Sequence, residues 1–200
     1  GFSRLLLRKA ESGTSQCEQL QAILDGGVRL HEIVLAVSEF TALHVEALRP
    51  MHLAPCCQEA VAHVRQEFPD SIRWVVDFPE APDVILGDPA LLALALQALL
   101  RNAAEAVLRG NGPGTVRLRL WREAQHHVLD MEDTGPGLAD ADLPFLFDPF
   151  FTTKPVGVGM GLCKAQRIIR EHKGTVTLEN REDGPGARAR VVLPPHDTTA

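Results

Sequence analysis

The sequence predicts a two-layer α/β sandwich, a mixed sheet with helices on one face, preceded by part of a helical hairpin. Residues 115–121, 175–180 and 187–193 alternate in polarity as strands do. One face collects Val116, Leu118, Leu120, Val176, Leu178, Val191 and Leu193, and the other collects Arg117, Arg119, Thr175, Thr177, Glu179, Arg188 and Arg190. A sheet that is apolar on one side takes its helices there, which excludes a doubly wound fold.

The N-terminal part predicts helices. Residues 14–47 carry no proline, and Leu24, Val28, His31 and Leu35 recur at helical spacing. Residues 3–11 look like the end of another helix, so residues 1–48 form the remnant of an antiparallel hairpin. Pro50 marks the boundary to a larger domain over 49–196, and 197–200 form a tail.

Periodicity and turn signals predict the elements of the larger domain. A helix begins at Asp88, with Pro89 at its first position, and ends at about Arg109 before Gly110. The other predicted elements are a helix at 55–67, strands at 72–78, 84–86 and 127–133, a loop rich in Gly and Pro at 134–159, and a helix at 160–172.

Composition excludes several classes of partner. The net charge is −6 without a Lys/Arg-rich run, which disfavours nucleic acid and anionic membranes as partners. No apolar stretch approaches the roughly 20 residues of a membrane span. The four cysteines are too few for a disulfide framework, so we expect a cytoplasmic location. Whether the full-length protein is anchored in a membrane stays open.

The helix at 88–109 carries the first candidate ligand. Ala98, Asn102, Glu105 and Arg109 share one flank of it, because they are three or four residues apart. The amide oxygen of Asn102 is a hard donor that suits magnesium. The alternative reading is an ordinary exposed asparagine.

The strand at 127–133 carries the second candidate ligand. Asp133 ends an apolar row with Leu129 and Met131, and a buried carboxylate needs a hydrogen-bonding partner. An adenine amine supplies such a donor, and Gly135 and Gly137 would let the backbone approach a flat base. Read alone, the segment is equally consistent with a strand-ending turn.

A third segment combines aromatic, hydroxyl and cationic groups. Residues 147–154 read Phe-Asp-Pro-Phe-Phe-Thr-Thr-Lys, and Gly157, Gly159 and Gly161 follow directly before a helix. Glycines before a helix N-terminus expose backbone N–H groups to anions, and Lys154 adds a charge that attracts phosphate. These segments, in this order, together indicate a nucleotide site.

Residues 49–194 resemble the catalytic ATP-binding domain of sensor histidine kinases, which has the Bergerat fold. Residues 99–106 (LLRNAAEA) resemble its N box, and residues 133–137 (DTGPG) resemble its G1 box. Residues 147–154 resemble the F box and residues 157–162 (GVGMGL) the G2 box. The resemblance covers about three quarters of the chain.

The resemblance implies ATP and Mg²⁺ as cofactors, with Asn102 on magnesium, Asp133 on the adenine amine and residues 152–162 over the phosphates. Asn102, Glu105 and Lys154 are the implied catalytic residues. The implied nucleotide-binding residues are Asn102, Asp133, Gly135, Gly137, Phe147, Thr152, Thr153, Lys154, Gly157, Gly159, Gly161 and Leu162.

Two positions depart from the family pattern. Thr134 stands where an Asn is usual, and Ala98 replaces an earlier N-box Asn. Related gyrase, mismatch-repair and chaperone ATPases carry at the Ala98 position a Glu that activates water. Alanine cannot act as a base, which favours phosphoryl transfer to a protein side chain over hydrolysis.

The resemblance also implies a relay. Residues 1–7 resemble the stretch after the family's H box, so the phosphoacceptor histidine is expected upstream of Gly1. His31-Glu32 imitates an H box without its following Pro and Arg, and we read His31 as a packed histidine. The γ-phosphate would pass to the protein's own phosphoacceptor helix and then to a response-regulator receiver domain. A four-helix bundle would make the full-length protein a homodimer.

Two alternatives stay open. A nucleotide-binding scaffold could change shape with ATP without any transfer. A protein-serine kinase of the mitochondrial dehydrogenase-kinase type would share the same motifs, and acid stability of the product phosphate separates it from a histidine kinase.

Overall fold

The computed structural model describes residues 15–44, 47–78, 83–110, 112–154 and 157–196. These residues form two compact units, one of 15–44 with 152–154 and 157–158, the other of the remaining described residues. The predicted helix at 3–11 and the tail at 197–200 lie outside the described residues. The domain boundary at 48–50 stays a prediction.

The first unit contains one long helix, α1 (Ser15–Ala42), within the predicted 14–47. Leu24 is half-buried, but His31 is exposed, so the reading of His31 as a packed histidine was wrong. In the second half of α1 the half-buried residues include Ile33 and Phe40. Ile33 and Phe40 lie on a different side of the helix from His31. The apolar stripe predicted from the sequence therefore does not continue as a buried face to His31.

The second unit contains the remaining elements. They are β1 (Arg49–His52), α2 (Leu53–Arg65), β2 (Ile72–Asp77), β3 (Val84–Gly87), α3 (Pro89–Arg109), β4 (Gly114–Glu123), β5 (His126–Asp133), a 3-10 turn (Leu143–Phe145), α4 (Gly161–Glu171), β6 (Thr175–Asn180) and β7 (Ala187–Leu193). Strand β1 and the 3-10 turn were not predicted. From the sequence, Pro50 was interpreted only as the sign of a domain boundary. In the structure it lies in β1, which forms a two-stranded antiparallel ribbon with β3, and it pairs with Leu86.

The main sheet has the strand order β2-β4-β5-β7-β6. Strand β2 runs parallel to β4, and all other neighbours are antiparallel. The face predicted to be apolar is buried, with Leu118, Leu129 and Val191 at 1% exposure or less. Helix α3 packs between α2 and α4 and against β4 and β5. The predicted mixed-sheet sandwich is therefore confirmed.

Helix α3 begins and ends as its sequence predicts. Asp88 Oδ1 accepts hydrogen bonds from the backbone N–H groups of Ala90 and Leu91, at 3.0 and 3.1 Å. The backbone N–H of Asp88 in turn donates to Nε2 of His172 at 2.9 Å, and Nδ1 of His172 lies 2.7 Å from the carbonyl oxygen of Ile168. The buried imidazole thus joins the end of α4 to the start of α3.

Among the described residues, α3 is the one helix whose length and hydropathy would allow a membrane crossing. This differs from the expectation that no segment approaches that length. Half of its apolar window is buried inside the protein, and Leu92, Leu96 and Leu100 are fully buried. Its hydropathy therefore fits the core helix of a folded domain.

The outer face of the sheet carries ion pairs that the sequence did not predict to be buried. Asp130 is 1% exposed and is bonded by both Nε and Nη2 of Arg190 at 2.9 Å. Glu132, 7% exposed, accepts from Nη2 of Arg119 at 2.6 Å. The guanidinium groups of Arg119 and Arg190 also lie 5.9 and 5.6 Å from the ring centroid of Trp121. Arginines thus cover carboxylates on the outer face of the sheet.

Candidate functional site

Helix α3 holds the asparagine predicted to bind magnesium. Leu99, Ala103 and Ala106 face the core and are buried, whereas Asn102 and Glu105 are half-buried on the neighbouring flank. Asn102 and Glu105 are three residues apart, so their side chains lie over adjacent turns of one side. The helix therefore offers an amide oxygen and a carboxylate together at the edge of the core.

Asp133 ends β5 on the inner side of the sheet and is 5% exposed. Its Oδ1 accepts the backbone N–H of Gly135 at 2.8 Å and that of Ala187 at 3.3 Å. Burial raises the pKa of the Asp133 carboxyl above its ordinary value of 3.8, against the opposing effect of these donors and of the charges on Arg181 and Arg109. Within the described residues no hydrogen bond is made to Oδ2.

Gly135 brings this turn against α3. A Cβ at Gly135 would stand 2.6 Å from the carbonyl oxygen of Ala106, so only glycine allows the approach. Ala106 lies one turn beyond Asn102, and Arg109, on the same flank, is close enough to lower the pKa of Asp133. The Asp133 turn and the Asn102 flank are thus brought to one end of the domain.

Gly137 continues the turn with a left-handed backbone, at φ +82°. A Cβ at this position would meet Oδ1 of Asn180 at 2.8 Å. The close contacts of Gly135 and Gly137 are thus with α3 and β6 of the protein itself, and the approach of this backbone to a base stays a prediction.

The aromatic segment packs partly through two residues that lie just before the predicted motif, Phe145 and Leu146. Leu146 is buried, whereas the predicted Phe147 is half-buried. The rings of Phe145 and Phe151 lie 5.9 Å apart. Gly159, at φ +74°, accepts a hydrogen bond from the Phe150 N–H at 3.1 Å. A Leu or Phe within a Pro-rich loop carries no periodicity, which is why the buried anchor was not identified.

Helix α4 begins directly after Met160 with no side-chain cap. Gly161 is exposed and Leu162 is half-buried in this first turn. The first N–H groups of a helix have no partners within it, so an uncapped N-terminus offers them to an anion. Lys164 donates its N–H to the carbonyl oxygen of Met160 at 3.1 Å, which starts the helical ladder.

The remaining predicted lid residues belong to the first unit. Thr152 and Thr153 are exposed, and Lys154 is half-buried. The N–H of Lys154 donates to Oγ1 of Thr152 at 3.1 Å, which folds these residues into a local turn. Gly157 has φ +124°. Their placement over bound phosphates stays a prediction.

The β6–β7 hairpin contributes contacts that were missed. Asn180, Arg181 and Ala187 had no predicted role, yet all three bond the segment from Asp133 to Leu138. The signal in the sequence was weak, because it consists only of two polar residues at the end of a strand. Their contacts depend on a pairing between distant segments.

The chain is similar to proteins of known families along most of its length. Residues 87–197 match the family model of histidine kinase-, DNA gyrase B- and HSP90-like ATPases. The sensor protein FixL of Bradyrhizobium diazoefficiens is 28% identical over 202 residues, which cover 98% of this chain and 39% of FixL. The chain spans well under two thirds of the length of the curated relatives that it matches.

Solved structures share the fold. The mycobacterial sensor histidine kinase MprB is 26% identical with a TM-score of 0.65, covering 74% of this chain and 97% of that one. The histidine kinase ThkA, crystallised in complex with the response regulator protein TrrA, has a TM-score of 0.72 over 100% of this chain and 57% of its own. At 20% identity, ThkA supports the fold alone.

Proposed function

The chain belongs to the family of histidine kinase-, DNA gyrase B- and HSP90-like ATPases as the ATP-binding domain of a sensor histidine kinase, and from this premise we propose that it transfers the ATP γ-phosphate to a histidine. The acceptor would lie on the protein's own phosphoacceptor helix, upstream of residue 1. This is the function that the arrangement around Asp133 supports best.

One observation carries the proposal: Asp133 is buried with one carboxylate oxygen satisfied by backbone donors and the other unbonded within the described residues. Among the described residues, Oδ2 is not one of the fully buried polar atoms left without a partner, so a donor from outside the chain can reach it. The exocyclic amine of adenine is such a donor. ATP therefore fits the residues present, since its amine would complete the hydrogen bonds of Asp133.

The start of α4 suits the phosphates. Its N-terminus has no side-chain cap, and Gly161 in its first turn is exposed. We propose that Thr152, Lys154 and Gly157 close on the same phosphates. The Lys154 ammonium would then neutralise part of their charge.

Asn102 fits a magnesium ion by the chemistry of its donor. An amide oxygen is a hard ligand, and magnesium is usually held by one or two protein groups together with water and substrate phosphates. Glu105, one turn away, would orient the water or the ion through its carboxylate. When bound, the metal supplies charge neutralisation at the β- and γ-phosphates. The role of Asn102 and Glu105 would be to hold the positive charge of the metal beside the phosphates.

The residues of α3 disfavour hydrolysis of ATP and favour transfer of its γ-phosphate to a protein side chain. The flank of α3 carries Ala98 one turn before Asn102, and its methyl group accepts no proton from a water molecule. With no base at this place, the productive nucleophile would come from the acceptor helix. Catalysis would then rest on positioning and electrostatics, as is general for phosphoryl transfer.

The relay completes the proposal. ThkA crystallised with TrrA as a complex of a histidine kinase and a response regulator, and we propose the same class of partner here. Homodimerisation through α1 in the full-length protein and a cytoplasmic location for this part also belong to the proposal.

The test uses the full-length protein. Magnesium-ATP should bind with measurable heat, and the heat should vanish in an Asn102→Ala, Asp133→Asn double variant. After incubation with ATP, mass spectrometry should find an acid-labile phosphate on a histidine upstream of residue 1. An acid-stable phosphoserine would favour the serine-kinase alternative, and binding without any phosphorylated residue would favour the scaffold.

A further inference from the structure

The β6–β7 hairpin reaches the Asp133 turn with two side chains. Asn180, the last residue of β6, accepts the backbone N–H of Leu138 at 2.7 Å and donates its Nδ2 to the carbonyl oxygen of the same residue at 2.9 Å. Arg181 donates Nη1 to the carbonyl oxygens of Asp133 at 3.3 Å and of Pro185 at 3.4 Å. The turn is therefore held at both of its ends.

The guanidinium of Arg181 is itself held in place. Its side chain is 14% exposed, and Asp183 Oδ1 lies 3.2 Å from Nε and 3.0 Å from Nη2. A planar guanidinium with one edge on a carboxylate can hold carbonyl groups with the other. Arg181 thus joins the hairpin loop to the backbone of Asp133.

The hairpin also fixes the Asp133 carboxylate directly. The N–H of Ala187 reaches Oδ1, opposite the N–H of Gly135, so this oxygen is bonded from two segments of the chain. Rotation of the carboxylate would break both bonds. The position of Oδ2, which the proposed function assigns to the adenine amine, therefore depends on where the hairpin stands.

We infer that Asn180 and Arg181 are positioning residues that set the base specificity of the nucleotide site, through the placement of the Asp133 carboxylate; this inference rests on the proposed function. The 6-amino group of adenine donates to a carboxylate, whereas the carbonyl of hypoxanthine at the same position is repelled by it. A hydrogen bond depends steeply on distance and angle. The phosphates are bound elsewhere, so a displaced carboxylate loses base discrimination and retains phosphate affinity.

The experiment compares magnesium-ATP with magnesium-ITP, which differ at this position of the base. Both affinities are measured by calorimetry for the parent chain, Asn180→Ala and Arg181→Ala. We expect the ratio of ATP to ITP affinity to fall by about tenfold in Arg181→Ala, with ITP affinity changing by less than about twofold. Asn180→Ala should lower the ratio in the same direction.

Arg188→Ala is the matched control. Arg188 lies in β7 of the same hairpin and bonds Glu179 of β6 through Nε at 3.0 Å, on the outer face. Its removal perturbs the hairpin without touching the Asp133 turn, so the ATP-to-ITP ratio should stay at the parent value. Thermal unfolding of all variants reports their folded fraction.

A second variant keeps the test decisive if Arg181→Ala does not fold. Asn180→Asp retains the acceptor for the Leu138 N–H and replaces the donor to its carbonyl, and should lower the ratio by about threefold. Equal weakening of both nucleotides, or an unchanged ratio in the folded variants, would overturn the inference while ATP binding by the parent stands. A parent that binds neither nucleotide would overturn the proposed function and the inference together.

Discussion

Gly186 lies so close to Asp133 that a Cβ at residue 186 would stand 1.9 Å from the Asp133 carbonyl oxygen. The backbone of Gly186 is also left-handed, at φ +113°. The hairpin loop therefore meets the strand that carries Asp133 backbone to backbone, with no room for a side chain between them. This contact governs how tightly the two segments can hold the carboxylate.

Gly186→Ala should destabilise the second unit by about 3 kcal/mol or more, because the new methyl group adds a collision with backbone to the strain of a positive φ. Urea unfolding followed by circular dichroism measures the loss. Gly184→Ala is the control, since Gly184 has φ +148° but a Cβ there would meet nothing within 4 Å. If the two variants lost equal stability, the close contact with Asp133 would have no energetic role.

Asp133→Asn should abolish most ATP binding, because an amide in place of the carboxylate loses the charge that strengthens the bond to the amine. We expect the affinity to fall at least about tenfold. Calorimetry with magnesium-ATP measures the change. An unchanged affinity would show that Asp133 does not contact the base.

The same variant should make the apo protein more stable at neutral pH. Burial raises the folded-state pKa of Asp133 above 3.8, so the folded state binds this proton more tightly than the unfolded state. The stability contribution of Asp133 is present below pH 3.8 and is lost as the pH rises through the folded pKa. The asparagine of Asp133→Asn does not titrate. The unfolding free energy of the variant should therefore exceed that of the parent by an amount that grows as the pH rises through the folded pKa of Asp133. A variant less stable than the parent at pH 7 would contradict this.

Arg190→Met should destabilise the sheet by about 3 kcal/mol, because it leaves the buried carboxylate of Asp130 unpaired. Adding Asp130→Asn removes the unpaired charge and should restore more than half of the loss. Urea unfolding of the two single variants and the double variant measures the coupling. Since this pair lies on the outer face, magnesium-ATP affinity should stay at the parent value throughout.

The three cysteines with described side chains should be inert in the folded protein. Cys56, Cys57 and Cys163 are buried, and burial raises the pKa of Cys56 to about 11. At pH 8 about one Cys56 in a thousand is then a thiolate. A thiol reagent should label these residues only after urea is added, with labelled peptides identified by mass spectrometry. Rapid labelling of any of them without urea would contradict their burial.

Elements with strong local signals were predictable from the sequence. Helix α3 has Asp88 as its cap and Pro89 at its first position, and the β6–β7 hairpin has clean alternation, so their bounds agree with the structure within a residue or two. The strand β1 around Pro50 was missed because proline normally interrupts pairing, and the ribbon tolerates it at an edge.

From the sequence, a candidate site residue could be proposed only where that residue carries its own signal. Asp133 stands out because a carboxylate ends an apolar row, and Asn102 because it shares a flank with Glu105. Asn180 and Arg181 could not be identified in this way, since their partners lie more than 40 residues away in sequence. Buried Asp130 and Glu132 were missed because the arginines that cover them lie on neighbouring strands, 60 and 13 residues away in sequence.

His172 has both ring nitrogens engaged, one as an acceptor from α3 and the other as a donor within α4. An imidazole attacks phosphorus through a free nitrogen lone pair, and this one has its lone pair directed at a peptide N–H. Phosphorylation of His172 would require two helix ends to come apart. Inside the ATP-binding domain, this histidine is thereby kept from competing with the acceptor that we propose upstream.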